Sequence, residues 1–264
     1  MDPIQTIILG IIQGITEWLP ISSTGHLRIA EHFLGLKVPF LFDVTLHVGT
    51  LIVTLLFFRK DIKNILTALW KRDFKTENGK LIPLIIIGTI PTALIGIVLS
   101  NSTIESLLSS FPAMAGEFII MGIALYCSKL GTEKKENITY TEALAIGAAQ
   151  GIAIIPAMSR SGMTIAIALL LGIKREKAFK FSFLLSVPAV IGALGLTFYE
   201  QREVLILAGV GFAEILVGVA VTIIVSFLAL KLLWRILAGK KLYLFAFYCW
   251  IIGLVLVSLS LGGF

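Results

Sequence analysis

Charge is the scarcest commodity in this sequence. Asp, Glu, Lys and Arg make up 14% of its 264 residues, against 57% hydrophobic, and the mean hydropathy is +0.97. A soluble domain carries about 25% charged residues, so this chain must find its solvent in lipid. Cysteine is nearly absent as well. Cys127 and Cys249 both fall inside apolar runs, which points to packing residues rather than a disulfide framework or a metal site. A basic leader is also missing, and polar residues interrupt the first apolar run from Gln13 onward. The first thirty residues are therefore not expected to be a cleaved signal peptide.

What is present is a series of apolar stretches. A helix needs about 20 apolar residues to cross a bilayer core, and six stretches qualify: about 40–58, 81–99, 111–128, 181–198, 207–230 and 242–262. Two more, about 4–36 and 142–173, are apolar but broken midway. The breaks are Pro20-Ile21-Ser22-Ser23-Thr24-Gly25-His26 and Pro156-Ala157-Met158-Ser159-Arg160-Ser161-Gly162. Each half-segment is too short to cross, so each pair is predicted to form a re-entrant hairpin. Irregular backbone at that depth is tolerated only where protein or a watery cavity satisfies it. The expected fold is all-α and polytopic, with six transmembrane helices and two re-entrant hairpins.

The net charge of +6 is a topology signal. With the Arg59–Lys80 connection placed in the cytoplasm, connections 129–141, 172–180 and 235–241 fall on the same side. The four carry seven, three, four and three Lys or Arg, together 17 of the 22. The opposite side keeps only Lys37 and Arg202. By the positive-inside rule both termini then face outward, and nucleic acid is not an expected partner.

At an offset of about 137 the chain repeats itself: Gly10/Gly147, Gln13/Gln150, Gly14/Gly151, Ser22/Ser159, Gly25/Gly162, Leu34/Leu171, Gly35/Gly172 and Lys37/Lys174, with Pro20 and Pro156 slipped by one. A repeat this long suggests duplication of a whole half, about 1–131 and 138–264, within one membrane domain. Three crossings per half force the second half to be inverted. One hairpin then dips from outside and the other from the cytoplasm, and their tips meet near the midplane.

The tips carry the chemistry. Gln13 and Glu17, four residues apart, share a helical face directed at the first turn, where Ser22, Ser23, Thr24 and His26 follow. The second tip supplies Ser159, Arg160, Ser161 and Thr164 and the N-terminus of the next helix. Ionisable groups inside a bilayer are rare unless they act. A helix N-terminus and an Arg fork both suit phosphate oxygens, and Gly25 and Gly162 allow close backbone approach. Diphosphate is the anion that uses all of this. In one route Ser23 or His26 attacks the terminal phosphorus with Glu17 accepting or orienting a proton, while Arg160 and the tip amides stabilise the equatorial charge. Ser23 and His26 both qualify as the attacking group, and a route without a covalent intermediate fits as well.

Gln13-Gly14-Ile15-Thr16-Glu17 followed by Leu19-Pro20-Ile21-Ser22-Ser23-Thr24-Gly25-His26 resembles the first motif of the undecaprenyl-diphosphate phosphatase family of the bacitracin-resistance type. Pro156-Ala157-Met158-Ser159-Arg160-Ser161-Gly162-Met163-Thr164 resembles its second motif. The resemblance runs along the whole chain. It implies a hydrolase that recycles the cell-wall lipid carrier in the inner membrane, with Glu17, Ser23, His26 and Arg160 catalytic. It further implies Gln13, Ser22, Thr24, Gly25, Ser159, Ser161, Gly162 and Thr164 as diphosphate contacts or their support. A site open to the outer face, a divalent cation (Mg²⁺ or Ca²⁺) carried with the diphosphate, with Glu17 as its one candidate protein ligand, and a homodimer complete the expectation.

Two positions depart from the pattern. Gln13 stands where an acid is common, which removes a carboxylate from any cation site. Ala157 stands where Gly is usual, which strains the chain only if that position has positive φ. Outside the motifs, His32, His47, Glu31, Asp43, Glu117 and Glu214 sit at membrane level and could line the cavity or pair across helices. Trp70-Lys71-Arg72 and Trp234-Arg235 read as interfacial anchors, and the many glycines as sites of close helix packing. The competing functions are a polyprenyl-phosphate transporter on the same scaffold and a proton- or ion-coupled channel using Glu17 and His26. A carrier needs no nucleophile beside a base, so the Ser-rich tip facing Glu17 favours hydrolysis.

Overall fold

The structure is a computed structural model that describes residues 2–36, 38, 40–99, 102–207 and 211–262. Lys37 lies outside the described residues, as does the side chain of Arg202. Among the described residues the chain is built of helices, with a single isolated bridge between Lys135 and Ile173.

Both broken segments fold as helix pairs. The first comprises α1 (Pro3–Thr16) and α2 (Ser23–Phe33). After α3 (Phe40–Phe57), α4 (Arg59–Trp70), α5 (Leu81–Leu99), α6 (Ser102–Leu108) and α7 (Phe111–Cys127), the second comprises α8 (Tyr140–Ile152) and α9 (Arg160–Leu170). The four hairpin helices are 14, 11, 13 and 11 residues long. At about 1.5 Å per residue none spans a core of about 30 Å. Each hairpin opens with a capping box, Asp2 with Gln5 and Thr139 with Glu142. These side chains close the first free amides, so each short helix is fixed at its start.

Among the described residues five helices are long and apolar enough to cross a membrane: α5, α7, α10 (Arg175–Leu207), α11 (Phe212–Ala238) and α12 (Leu244–Leu261). The sixth is α3, which bends by 76° into α4. Two helices run past the expected apolar limits. α10 is helical through Arg175, Lys177 and Lys180, because those cations are held by carboxylates: Glu133, Glu77 and Asp61. α11 continues through Lys231, Trp234 and Arg235 to Ala238, with Arg235 in its last turn.

The same ion pairs tie the basic connections together. Arg175 reaches Glu133 and donates to the Leu237 carbonyl at 2.5 Å, and Lys180 meets Asp61 at 2.6 Å. The connections 59–80, 129–141 and 235–241 thus converge on the start of α10, on one face of the molecule.

Helix pairings interchange between the two halves. α1 packs on α11 as α8 packs on α5, α3 on α11 as α10 on α5, and α7 crosses α12. The details interchange too. Thr222 donates to the Gly10 carbonyl at 3.2 Å, and Thr92 donates to the Gly147 carbonyl at 2.8 Å. A Cβ on Gly10 would lie 2.9 Å from the Gly218 carbonyl, and one on Gly147 only 1.9 Å from that of Gly88. Hydrogen at these positions is what lets hairpin and span touch backbone to backbone. Beneath the first tip, fully buried Trp18 packs on Phe183 with ring centroids 5.2 Å apart. Phe179 extends the column to Trp234.

Candidate active site

The two tips are stitched to each other through backbone. Ser22 Oγ donates to the Pro156 carbonyl at 2.6 Å, and Ser161 Oγ donates to the Trp18 carbonyl at 3.2 Å. A Cβ on Gly162 would meet Pro20 Cβ at 2.9 Å, so the turns approach as closely as their atoms allow. The serines that begin the second helix of each hairpin also cap it. Ser22 Oγ accepts from Gly25 N at 3.1 Å and Ser159 Oγ from Gly162 N at 3.2 Å.

Glu17 is the hub. Its Oε1 accepts from Arg160 Nη2 at 2.6 Å across the tip junction. Its Oε2 accepts from Ser23 Oγ at 2.7 Å and from Gln13 Nε2 at 3.2 Å, with His47 Nε2 at 3.5 Å. The Glu17 side chain is 8% exposed and that of Arg160 17%. A carboxylate this buried persists only when paired and hydrogen-bonded, and here both oxygens are engaged. Two facing atoms remain unspent: Arg160 Nη1 and Gln13 Oε1 are buried without a hydrogen-bond partner in the structure. One is a charged donor and the other a neutral acceptor, so the site has bonding capacity for an anion and for a cation.

His26 stands apart from this hub. Its Nδ1 faces the Ser22 carbonyl at 2.7 Å and its Nε2 the Tyr248 hydroxyl at 2.7 Å, with the two rings stacked. A carbonyl only accepts, so Nδ1 carries a proton, and in neutral imidazole Nε2 then accepts from the phenol. The imidazole beside Glu17 is His47, from α3. Ser22 itself has φ 68° and ψ 112°, a region non-glycine residues avoid and one that strained functional turns occupy. Its carbonyl is turned toward His26 in that conformation.

Around them the hydroxyls of the second tip are bonded. Thr164 Oγ1 donates to the Arg160 carbonyl at 2.8 Å and lies 2.5 Å from Ser182 Oγ, while Ser159 Oγ sits 3.3 Å from Ser161 Oγ. Ala157 has no positive φ, so its departure from Gly carries no strain, and its amide donates to Glu117 Oε2 at 2.8 Å. Thr24 lies half-buried in the first turn of α2. A Cβ on Gly25 would touch the Phe118 ring at 2.9 Å.

Sequence motifs point to neither His47 nor Tyr248 as a member of the site. The only signal for His47 is a histidine at membrane level, and Tyr248 carries none. Other such groups lie elsewhere: Glu31 lies beside Asp43 and Arg28, His32 packs on Phe111, and Glu214 sits in the first turn of α11. Among the described residues no group of three or more His, Cys, Asp or Glu is placed to hold a metal ion. Glu17 and Gln13 Oε1 are the donors at hand, which fits an ion shared with substrate oxygens better than a protein-caged one.

The profile of the family described as Bacitracin resistance protein BacA matches residues 6–255. The chain is 42% identical to the undecaprenyl-diphosphatase of Carboxydothermus hydrogenoformans, across all of this chain and 99% of that protein. It is 39% identical to the undecaprenyl-diphosphatase of Desulforapulum autotrophicum, covering 97% of each. With that of Methanobrevibacter smithii it shares 38%, over 97% of this chain and 96% of the other.

Proposed function

The chain belongs to the bacitracin resistance protein BacA family, and we propose that its undecaprenyl-diphosphatase chemistry takes place where the two tips meet. It is a multi-pass membrane hydrolase that converts undecaprenyl diphosphate to the monophosphate and phosphate, recycling the lipid carrier of the cell wall. The relatives named above are enzymes, and the transporter alternative gains nothing from the comparisons.

The observation that carries the site assignment is the contact of Ser23 Oγ with Glu17 Oε2 at 2.7 Å. Ser23 attacks the terminal phosphorus, its proton passes to Glu17, and the bond to the bridging oxygen breaks to release the lipid monophosphate. Water then hydrolyses the phosphoserine. Arg160 Nη1 is free for an equatorial oxygen, and the start of α9 adds its dipole. When diphosphate draws the guanidinium to itself, Glu17 is released to take the Ser23 proton. His26, turned to Tyr248, orients the far side of the turn through Ser22. Gln13, Ser22, Thr24, Gly25, Ser159, Ser161, Gly162 and Thr164 shape or support the diphosphate cradle. Glu17 and Gln13 Oε1 are the residues that would hold a divalent cation brought with the substrate, and such an ion would neutralise phosphate charge there.

The halves 1–131 and 138–264 are an inverted repeat, supported by the interchange of helix pairings. The protein sits in the inner membrane with both termini outside and the cavity open outward. The contacts that gather the basic connections on one face support this. A homodimer follows from the family resemblance. Rapid acid quench with substrate labelled in the terminal phosphate tests the chemistry: acid-stable label should appear on the wild type and vanish in Ser23→Ala. Acid-labile label that depends on His26 would move the attack to the imidazole.

A further inference from the structure

At the elbow where α3 bends into α4 lies a groove of about 610 Å³, lined by Leu55, Arg59, Ile62, Lys63, Leu66 and Trp70. Positions 59, 62, 63, 66 and 70 recur at helical spacing, so a single face of α4 forms one wall. The bend of 76° comes where the apolar span ends and the charges begin. That puts the groove at the boundary between hydrocarbon and water. Its apolar residues stay uncovered: Leu66 is 58% and Trp70 89% exposed.

The cations of the groove differ from those around the start of α10. Lys135, Lys174, Arg175, Lys177 and Lys180 each meet a carboxylate. Asp61, the acid of α4, is taken by Lys180. Among the described residues no carboxylate is paired with Arg59 or Lys63. Two cations one turn apart thus stand above an apolar wall without a counter-ion from the protein.

We propose that this groove binds an anionic phospholipid. The phosphodiester lies between Arg59 and Lys63, an acyl chain follows Leu55, Ile62 and Leu66, and Trp70 flanks the headgroup. A free phosphate would meet the cations but leave the apolar wall wet. A zwitterionic lipid would fill the wall but return a positive charge to the cations. Only a ligand with an anionic head and an apolar body satisfies both halves of the groove.

The test is quenching of Trp70 in the full-length detergent-purified protein by brominated lipids, taken as the difference from Trp70→Phe. Brominated phosphatidylglycerol should quench at roughly tenfold lower mole fraction than brominated phosphatidylcholine. Arg59→Gln with Lys63→Gln should erase that preference and leave diphosphatase turnover unchanged, while Lys240→Gln with Lys241→Gln should keep it. Should the glutamine pair fail to fold, Arg59→Lys with Lys63→Arg must retain the preference. Equal quenching by the two lipids, or a preference that survives in the glutamine pair, overturns the proposal. So does displacement by inorganic phosphate alone, or loss of quenching as protein concentration rises, which would mean that a second copy covers the groove.

Discussion

The two tips are copies of one turn put to different uses. Each begins with a serine that caps the following helix through a glycine three residues on, and each donates a hydroxyl to the backbone of the other. At the next position they part. Ser23 of the first tip corresponds to Arg160 of the second, and these two residues take the two oxygens of Glu17. His26 corresponds to Met163, and Gln13 beside Glu17 corresponds to Gln150, which donates weakly to Thr92 and to the Leu185 carbonyl. In the reaction proposed above, the second tip binds charge and the first tip does chemistry, so two like turns would supply two unlike reactants at one point.

The largest test of that division concerns the pair at the junction. Arg160→Ala or Glu17→Ala should each lower turnover at least about 10³-fold. Each should also destabilise the protein by about 3 kcal/mol, since the partner charge is left buried. Removing both should recover thermal stability but no activity. A double variant as unstable as either single would show that the pair does not act as a unit.

The next contrast is between the two glutamines. Gln150 is buried among neutral groups, so Gln150→Glu should cost several kcal/mol and show as a large drop in melting temperature. Gln13→Glu places its charge beside Glu17, a carboxylate already paired with Arg160 and faced by His47. It should keep the fold while lowering the Mg²⁺ concentration for half-maximal activity by roughly tenfold. Equal destabilisation by both would erase the functional asymmetry.

Much of this arrangement was legible in the residues themselves. The helix content, the two broken segments and the meeting of Glu17 with Arg160, 143 residues away, follow from hydropathy, prolines and the internal repeat. Side-chain direction was not legible. Spacing places His26 one turn from Ser23, but only the unusual backbone at Ser22 and the arrival of α12 decide that it faces Tyr248. His47 comes from a span whose rotation is fixed by packing on α11, which no local pattern encodes. The start of α10 was hidden for a related reason. Ion pairs with distant connections keep the charged start of α10 helical.

Smaller effects sharpen the comparison of the capping serines. Ser22→Ala removes both a cap and the bond to Pro156 while keeping the strained φ, and should cost about 2–3 kcal/mol in thermal unfolding. Ser159→Ala removes the cap and only a long contact with Ser161, and should cost about 1 kcal/mol. Least of all, Tyr248→Phe should reduce turnover by about tenfold with little change in KM. Imidazole NMR of the three histidines should show the His26 signals, and not those of His47, moving in that variant.

The hairpin of each half rests on a span of the other, and this governs how the protein is made. Gly10 touches a helix whose Thr222 lies 212 residues further along the chain. As the ribosome delivers the polypeptide, α1 and α2 therefore wait without their seat until α11 and α12 emerge. Contacts this distant in sequence make for slow assembly. During that interval Glu17 sits at the end of a helix that has not yet reached its seat. The first hairpin is therefore seated only late in synthesis, and a nascent chain halted before α11 is released with α1 unsupported.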